Sequence, residues 1–195
     1  MQKRKPGFRI TLNSPAVLAF AFVCVVAQVL NIVTRGGANA YVFSVYRWRL
    51  SDPLTYVRCV CHVFGHADWG HLLNNMMYLL ILGPMLEEKY GSKNLIWVML
   101  ITALVTGVIF MIFFPRTALL GASGIVFAFI LLSSITQARE HEIPLTFILV
   151  ALLYIGEQIY TGVTNSDTVS QITHIAGGAV GTVLGFGMDR AKNSR

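Results

Sequence analysis

The sequence predicts an all-α polytopic membrane protein with six transmembrane helices, the fourth of which is short and central. Composition supports this fold class, because 55% of the 195 residues are hydrophobic and only 12% are charged. A soluble domain carries about 25% charged residues, so most of this chain must face lipid or other apolar helices. The chain also contains six separate apolar runs. Each run is interpreted as a helix, because only helices and closed barrels cross lipid.

The first apolar run begins at Pro15 and ends at Val33, after the basic segment 3–5. It is long enough to span a bilayer, and no small-residue cleavage site clearly ends it, so we interpret it as a retained helix and not as a signal peptide. The fourth run is short and should be shielded by its neighbours. The five later runs cover 69–86, 95–114, 119–135, 143–160 and 172–188.

The length of 195 residues predicts one transmembrane domain over 1–195. Its short tails at 1–12 and 189–195 are basic. The net charge of +6 is concentrated at the ends of the apolar runs, which indicates anionic lipid as the partner and not nucleic acid. Ten of the 15 Lys and Arg residues fall on the side of the membrane that holds both termini. The excess of basic residues on the inner side predicts that both termini are cytoplasmic.

This topology brings four polar residues to a similar depth. The second, fourth and sixth predicted helices all enter the membrane from the outer side. His71, Asn75, Ser123 and His174 lie near the starts of these helices. We therefore expect the four side chains to meet below the outer surface.

The residue types suit acyl transfer by a serine nucleophile. A serine needs a base to take its proton, and a histidine such as His174 is the usual base. The start of the helix at Ser123 offers free backbone N–H groups to an oxyanion, and His71 and Asn75 can add donors. Phe127 lies one turn after Ser123 on the same face, where its ring could pack on the imidazole of His174. The chain spacing of Gly177 and Gly181 is typical of closely packed membrane helices.

Three motifs together resemble the signature of rhomboid intramembrane serine proteases, over roughly 56–187. The motifs are Gly121-Ala122-Ser123-Gly124, His66-x4-His71-x3-Asn75 and His174-Ile175-Ala176-Gly177-x3-Gly181. Three further positions, Gly83, Glu87 and Gly91, also match the family. The predicted number of helices fits the minimal bacterial core of that family.

The resemblance implies that Ser123 is the nucleophile and His174 the base, with no third acidic member. It implies an oxyanion site formed by His71, Asn75 and the amide of Ser123. His66, Phe127 and the motif glycines would support these residues. The expected substrates are single-pass transmembrane proteins, cleaved in a bacterial inner membrane at a site open to the outer side. Neither a metal nor a cofactor is expected, and the sequence specifies no oligomeric state.

One position departs from the family pattern. Many members carry Trp-Arg in the first loop, where this chain has Val57-Arg58. The nearby Trp48 could take over part of the membrane anchoring, and the departure does not touch the catalytic motifs.

Other interpretations remain open at this stage. Ser123 could bond a carbonyl of its own helix, as serines in membrane helices often do. The density of Cys59, Cys61, His62 and the two later histidines could bind zinc, although the cysteine spacing is unusual for such a site. A second class of function is a non-enzymatic rhomboid-like protein that binds transmembrane clients, or a small transporter. An intact pair of Ser123 and His174 favours the enzyme.

Overall fold

The computed structural model describes residues 11–136, 143–164 and 168–193, and these residues form helices and connections without a named strand. This confirms the all-α fold class. The helices are α1 Pro15–Val33, α2 Gly37–Tyr41, α3 Pro53–Cys61, α4 Trp69–Tyr90, α5 Ser92–Phe113, α6 Ser123–Ser134, α7 Leu145–Thr164 and α8 Thr168–Asn193, with a 3₁₀ turn at His62–Phe64 after α3.

The surface of the long helices is apolar, as lipid requires. Large side chains such as Phe22, Leu73 and Leu153 point outward from α1, α4 and α7 and are 68%, 64% and 75% exposed. Among the described residues, two helices, α1 and α5, are long and apolar enough to cross a membrane by length and composition. The count of six crossings stays a prediction.

Helix α6 is the short central helix that the sequence predicts. Its 12 residues span about 18 Å, well short of the bilayer hydrocarbon core of about 30 Å. Most of its side chains are buried, including Ile125, Phe129 and Leu132. Helix α6 is therefore held by protein on most of its surface.

The predicted start of this helix is wrong by four residues, because α6 begins at Ser123 and not at Leu119. Residue Leu119 forms an antiparallel bridge with Val45, in which each N–H donates to the other carbonyl at 2.9 Å. The N–H of Gly121 donates to the carbonyl of His62 at 3.0 Å, and Gly121 has a φ of 126°. Hydrogen bonds to distant segments thus keep residues 119–121 out of the helix, and the helix begins only at Ser123.

The other helix ends differ from the predicted ones for local reasons. Helix α4 continues through the charged residues after Leu86 as far as Tyr90, because Gly91, with a φ of 81°, is what ends it. Helix α8 begins at Thr168, so His174 lies in its second turn and not in its first. The connection 34–68 between α1 and α4 contains α2, α3 and the 3₁₀ turn.

The sequence predicts that a loop over 161–170, between the fifth and sixth apolar runs, roofs the site. Residues 161–164 belong to α7 and 168–170 to α8, so that part of the expectation is wrong. The remaining residues 165–167 lie outside the described residues.

Helices α6 and α8 touch backbone to backbone, as the glycine spacing predicts. A Cβ atom added at Gly177 would lie 2.9 Å from the Cα atom of Gly124, and one at Gly181 would lie 2.6 Å from the Cα atom of Ala128. Real Cβ atoms do not approach other atoms so closely. Glycine at these two positions is what lets α8 bring its side chains up to α6.

The start of α1 is fixed by a carboxylate from α4. The oxygens of Glu87 accept hydrogen bonds from the N–H groups of Ala16 at 2.9 Å and Val17 at 3.0 Å. The hydroxyl of Ser92 donates to the same carboxylate at 2.6 Å. Because the side chain of Ser14 makes no capping bond, Glu87 supplies the N-terminal cap that α1 lacks.

Candidate active site

Ser123 is the first residue of α6, at the end of the extended segment 119–121. The hydrogen bonds of Leu119 to Val45 and of Gly121 to His62 fix that segment on both sides. As the first helical residue, Ser123 has a backbone N–H with no partner four residues back in its own helix, and the positive end of the helix dipole lies beside it. The local structure therefore aims both a hydroxyl and N–H donors at the same space.

That space is a cavity of about 390 Å³. Its wall includes Ser123 of α6, His174 of α8, and His71 and Asn75 of α4. The four residues come from three helices and span more than 100 positions of the chain. The structure therefore brings together the four polar residues that the sequence analysis expected to meet. The remaining wall consists of Asn74, Tyr78, Leu119, Leu120, Val126, Phe127 and Ile130.

The imidazole of His174 rests on the ring of Phe127. Their ring centroids are 4.3 Å apart, with an angle of 41° between the planes. Because Phe127 follows Ser123 by about one helical turn, this contact holds the imidazole on the serine's face of α6. The expected packing of Phe127 on His174 is present.

The donors from α4 lie over the backbone of Gly121. A Cβ atom there would be 2.9 Å from both Cε1 and Nε2 of His71 and 3.9 Å from Nδ2 of Asn75. A side chain at this position would collide with the imidazole, so Gly121 keeps the space before Ser123 open. Gly124 is buried, and a Cβ atom added there would lie 3.4 Å from Cγ2 of Thr106 and 3.8 Å from Cγ2 of Thr102, which are ordinary contact distances.

Asn75 has an unused donor. Its side chain is 4% exposed, and Nδ2 has no hydrogen-bond partner among the residues that the structure describes. Leaving a buried amide donor unpaired costs about 1–3 kcal/mol. A buried donor without a partner needs an explanation, and a ligand or a transition state in the adjoining cavity would supply its acceptor.

His66 does not line the cavity, but its imidazole packs against the imidazole of His71. The two imidazoles pack edge to face with centroids 5.1 Å apart, and Nδ1 of His66 lies 3.1 Å from the carbonyl oxygen of Phe64. Burial, and secondarily the charge of His71, lower the pKa of His66 to about 4. A neutral His66 can thus orient its neighbour without adding a repelling charge.

The sequence analysis missed Asp68, which fixes the start of α4. Its side-chain Oδ1 accepts from the N–H of His71 at 2.8 Å and so caps the helix that carries His71 and Asn75. The signal was available, since an aspartate directly before an apolar helix is a preferred N-cap.

The first loop packs differently from what its basic residues suggest. Arg58 is 3% exposed. Its Nε donates to the carbonyl of Tyr41 at 2.9 Å, and its guanidinium lies 4.6 Å from the ring centroid of Tyr46. Val57 is 41% exposed and Trp48 is 52% exposed, so both apolar side chains lie at the protein surface.

The candidate zinc ligands have structural contacts instead. The backbone of Cys59 packs on Gly107, where an added Cβ atom would lie 3.1 Å from the Cα atom of Cys59. Its Sγ atom lies 3.6 Å from Sδ of Met111. Nε2 of His62 is 3.0 Å from the carbonyl oxygen of Ala103. These contacts join the first loop to α5.

Comparisons with known proteins agree with the motifs. The rhomboid domain model matches residues 53–190. Rhomboid-like protein 11, chloroplastic, of Arabidopsis thaliana is 28% identical over 139 residues, which is 64% of this chain and 50% of the relative. Rhomboid protease GlpG of Yersinia pseudotuberculosis is 25% identical over 178 residues, or 88% of this chain and 62% of the relative.

A mammalian relative is similar to the same degree. Rhomboid-related protein 2 of Mus musculus is 30% identical over 158 residues, which is 70% of this chain and 52% of the relative. The chain thus spans about half the length of the curated relatives it matches.

Proposed function

Because the chain belongs to the rhomboid family of integral membrane proteins, which includes proteases, we propose that it is an intramembrane serine endopeptidase. It hydrolyses peptide bonds in or next to transmembrane segments of other proteins. The observation that carries this proposal is the single cavity shared by Ser123, His174, His71 and Asn75. A hydroxyl, an imidazole and an unpaired buried amide donor in one cavity are the groups that acyl transfer requires.

In the proposed reaction, Oγ of Ser123 attacks the scissile carbonyl carbon while His174 takes the hydroxyl proton. The carbonyl oxygen becomes an oxyanion, stabilised by the N–H of Ser123 and the side chains of His71 and Asn75. His174 then donates its proton to the leaving amine, which departs and leaves an acyl ester on Ser123. Water attacks that ester with His174 again as base, which releases the second product and restores the serine.

A second cavity supports the proposal that the substrate is a transmembrane segment. It has a volume of about 660 Å³ and lies between α4, α6 and α7, with Ile81, Met85 and Val150 in its wall. Tyr78 and Ile130 line both cavities, so the second cavity adjoins the cavity of Ser123. We further propose a bacterial inner membrane location, with cytoplasmic termini and the site open to the outer side.

Removal of either member of the dyad tests this function. Ser123→Ala and His174→Ala should each abolish cleavage of a transmembrane substrate and labelling by a fluorophosphonate, and the double variant should be little worse, because the pair acts as a unit. Thr182→Val is a matched control on α8, since its hydroxyl donates to the carbonyl of Gly178 at 2.9 Å. Strong proteolysis by purified Ser123→Ala protein would exclude Ser123 as the nucleophile. An unlabelled, inactive wild type would favour a non-enzymatic client-binding protein.

A further inference from the structure

A third cavity, far from the proposed dyad, is a groove on the lipid-facing side between α1, the 3₁₀ turn and α5. Its volume is about 270 Å³, and all of its lining residues are apolar. They include Ala19 and Val23 of α1, Phe64 of the 3₁₀ turn, and Ile96 and Leu100 of α5. We call this cavity the α1–α5 groove. Hydrocarbon fills it better than water, because its wall offers water no hydrogen-bond partner.

A cation precedes the first groove-lining residue of α5 by about one helical turn. Lys93 lies three residues before Ile96 and seven before Leu100, so the three residues share one face of α5. Lys93 is exposed. The carboxylate of Glu87, at the same end of the helices, is already bonded to the N–H groups of Ala16 and Val17.

The span from Lys93 to the deep end of the groove matches one leaflet. Ala103 lines the groove's inner end, and the rise of α5 separates it from Lys93 by about 15 Å. Half of the bilayer hydrocarbon core is also about 15 Å. With Ala103 near the bilayer centre, the ammonium group of Lys93 reaches the level of the lipid headgroups.

We propose that the α1–α5 groove binds one acyl chain of an anionic phospholipid, whose phosphate contacts Lys93. The lipid belongs to the leaflet that surrounds the start of α5. An apolar slot that, together with a cation about one turn beyond its lining, spans half of the membrane is complementary to such a molecule. A transmembrane helix, about 10 Å wide, is too thick for this slot.

Native mass spectrometry of the purified protein, titrated with phosphatidylglycerol or phosphatidylcholine, tests the proposal. Wild type should retain one phosphatidylglycerol through detergent removal. Lys93→Gln should weaken retention of phosphatidylglycerol by about fivefold, the effect of one basic residue near an anionic headgroup, and should leave phosphatidylcholine unchanged. Ala19→Phe should weaken retention of both lipids, because its ring fills the groove.

Matched controls separate the groove from the rest of the lipid-facing surface. Arg116→Gln removes an exposed charge at the other end of α5, and Ala179→Phe adds a ring to an exposed position of α8. Neither should change retention. Ala19→Leu replaces Ala19→Phe if the larger variant fails to fold. Unchanged lipid retention in a folded Ala19 variant would overturn the proposal. So would a wild-type dimer that the Ala19 variant abolishes, because the groove would then bind a second copy of the chain. Equal retention of phosphatidylglycerol and phosphatidylcholine by wild type would overturn the proposal that the bound lipid has an anionic headgroup.

Discussion

At the scale of one residue, a change at Asn75 can distinguish a role in catalysis from a role in substrate binding. Its Nδ2 is buried and unpaired within the described part of the chain, and it lies near Gly121 in the cavity that holds Ser123. If it donates to the developing oxyanion, its bond strengthens only in the transition state. An interaction of that kind raises turnover and leaves substrate affinity nearly unchanged.

Asn75→Ala should therefore lower turnover by about 10²–10³-fold, the usual cost of one oxyanion donor, with little change in the Michaelis constant. Activity should remain measurable, since the N–H of Ser123 and the side chain of His71 are still present. Asn94→Ala, which removes an amide that bonds Tyr90 at the far end of the neighbouring helix, is the control. A higher Michaelis constant with unchanged turnover would assign Asn75 to substrate binding.

At the scale of the element, the packing of α8 on α6 depends on glycines that face the partner helix. Gly181→Ala should lower stability by about 1–3 kcal/mol, because its methyl group collides with the backbone of Ala128 and separates the helices. The same variant should slow cleavage, since α8 carries His174. Thermal unfolding in detergent and the cleavage rate measure the two effects.

Gly187→Ala is the matched control on α8, because nothing lies within 4 Å of the added methyl group. Its stability should be unchanged or higher, as alanine favours a helix by up to about 1 kcal/mol over glycine. Equal loss of stability in the two variants would mean that helix propensity, and not contact with α6, decides the outcome.

The cap that α4 provides for α1 gives a second prediction for an element. Glu87→Ala leaves the N–H groups of Ala16 and Val17 without their acceptors, and hydrogen bonds to a charged group contribute about 1.5–3 kcal/mol. The variant should unfold at a clearly lower temperature, and Glu87→Gln, which keeps one acceptor oxygen, should be intermediate. Glu88→Ala, the neighbouring acid, should change little. A melting temperature equal to that of wild type would show that α1 needs no cap.

At the scale of the whole molecule, the features predicted correctly are those that a pattern of residues in the sequence determines. The start of α1 at Pro15 and its end at Val33 agree with the structure, because a proline and an apolar run define them. The shared cavity of His71, Asn75, Ser123 and His174 followed from placing polar residues at one membrane depth.

Features that depend on distant contacts escaped the sequence analysis. The late start of α6 results from pairing of Leu119 with Val45, and no pattern around Leu119 signals it. The burial of Arg58 likewise depends on Tyr41 and Tyr46, which reach it from another part of the first loop. The sequence analysis used the basic residues of this loop to predict membrane orientation. In the structure, Arg58 is instead buried inside the protein.

Movement of α7 away from α4 is the predicted step at the scale of the whole molecule. The cavity between them has Met85 on α4 and Thr146 on α7 in its wall, and it shares Tyr78 and Ile130 with the cavity of Ser123. A transmembrane substrate must pass this wall before its backbone reaches Ser123. Conformational steps of this kind often limit turnover.

A cross-link between Met85→Cys and Thr146→Cys should therefore slow cleavage of a transmembrane substrate in vesicles. The experiment needs a background without Cys24, Cys59 and Cys61, which are free thiols. Fluorophosphonate labelling should be unchanged, because a small probe reaches Ser123 without separation of the helices, and reduction or cleavage of the cross-link should restore the rate. If the cross-linked protein cleaved the membrane substrate at the rate of the uncross-linked protein, the substrate would have to reach Ser123 by another side of the molecule.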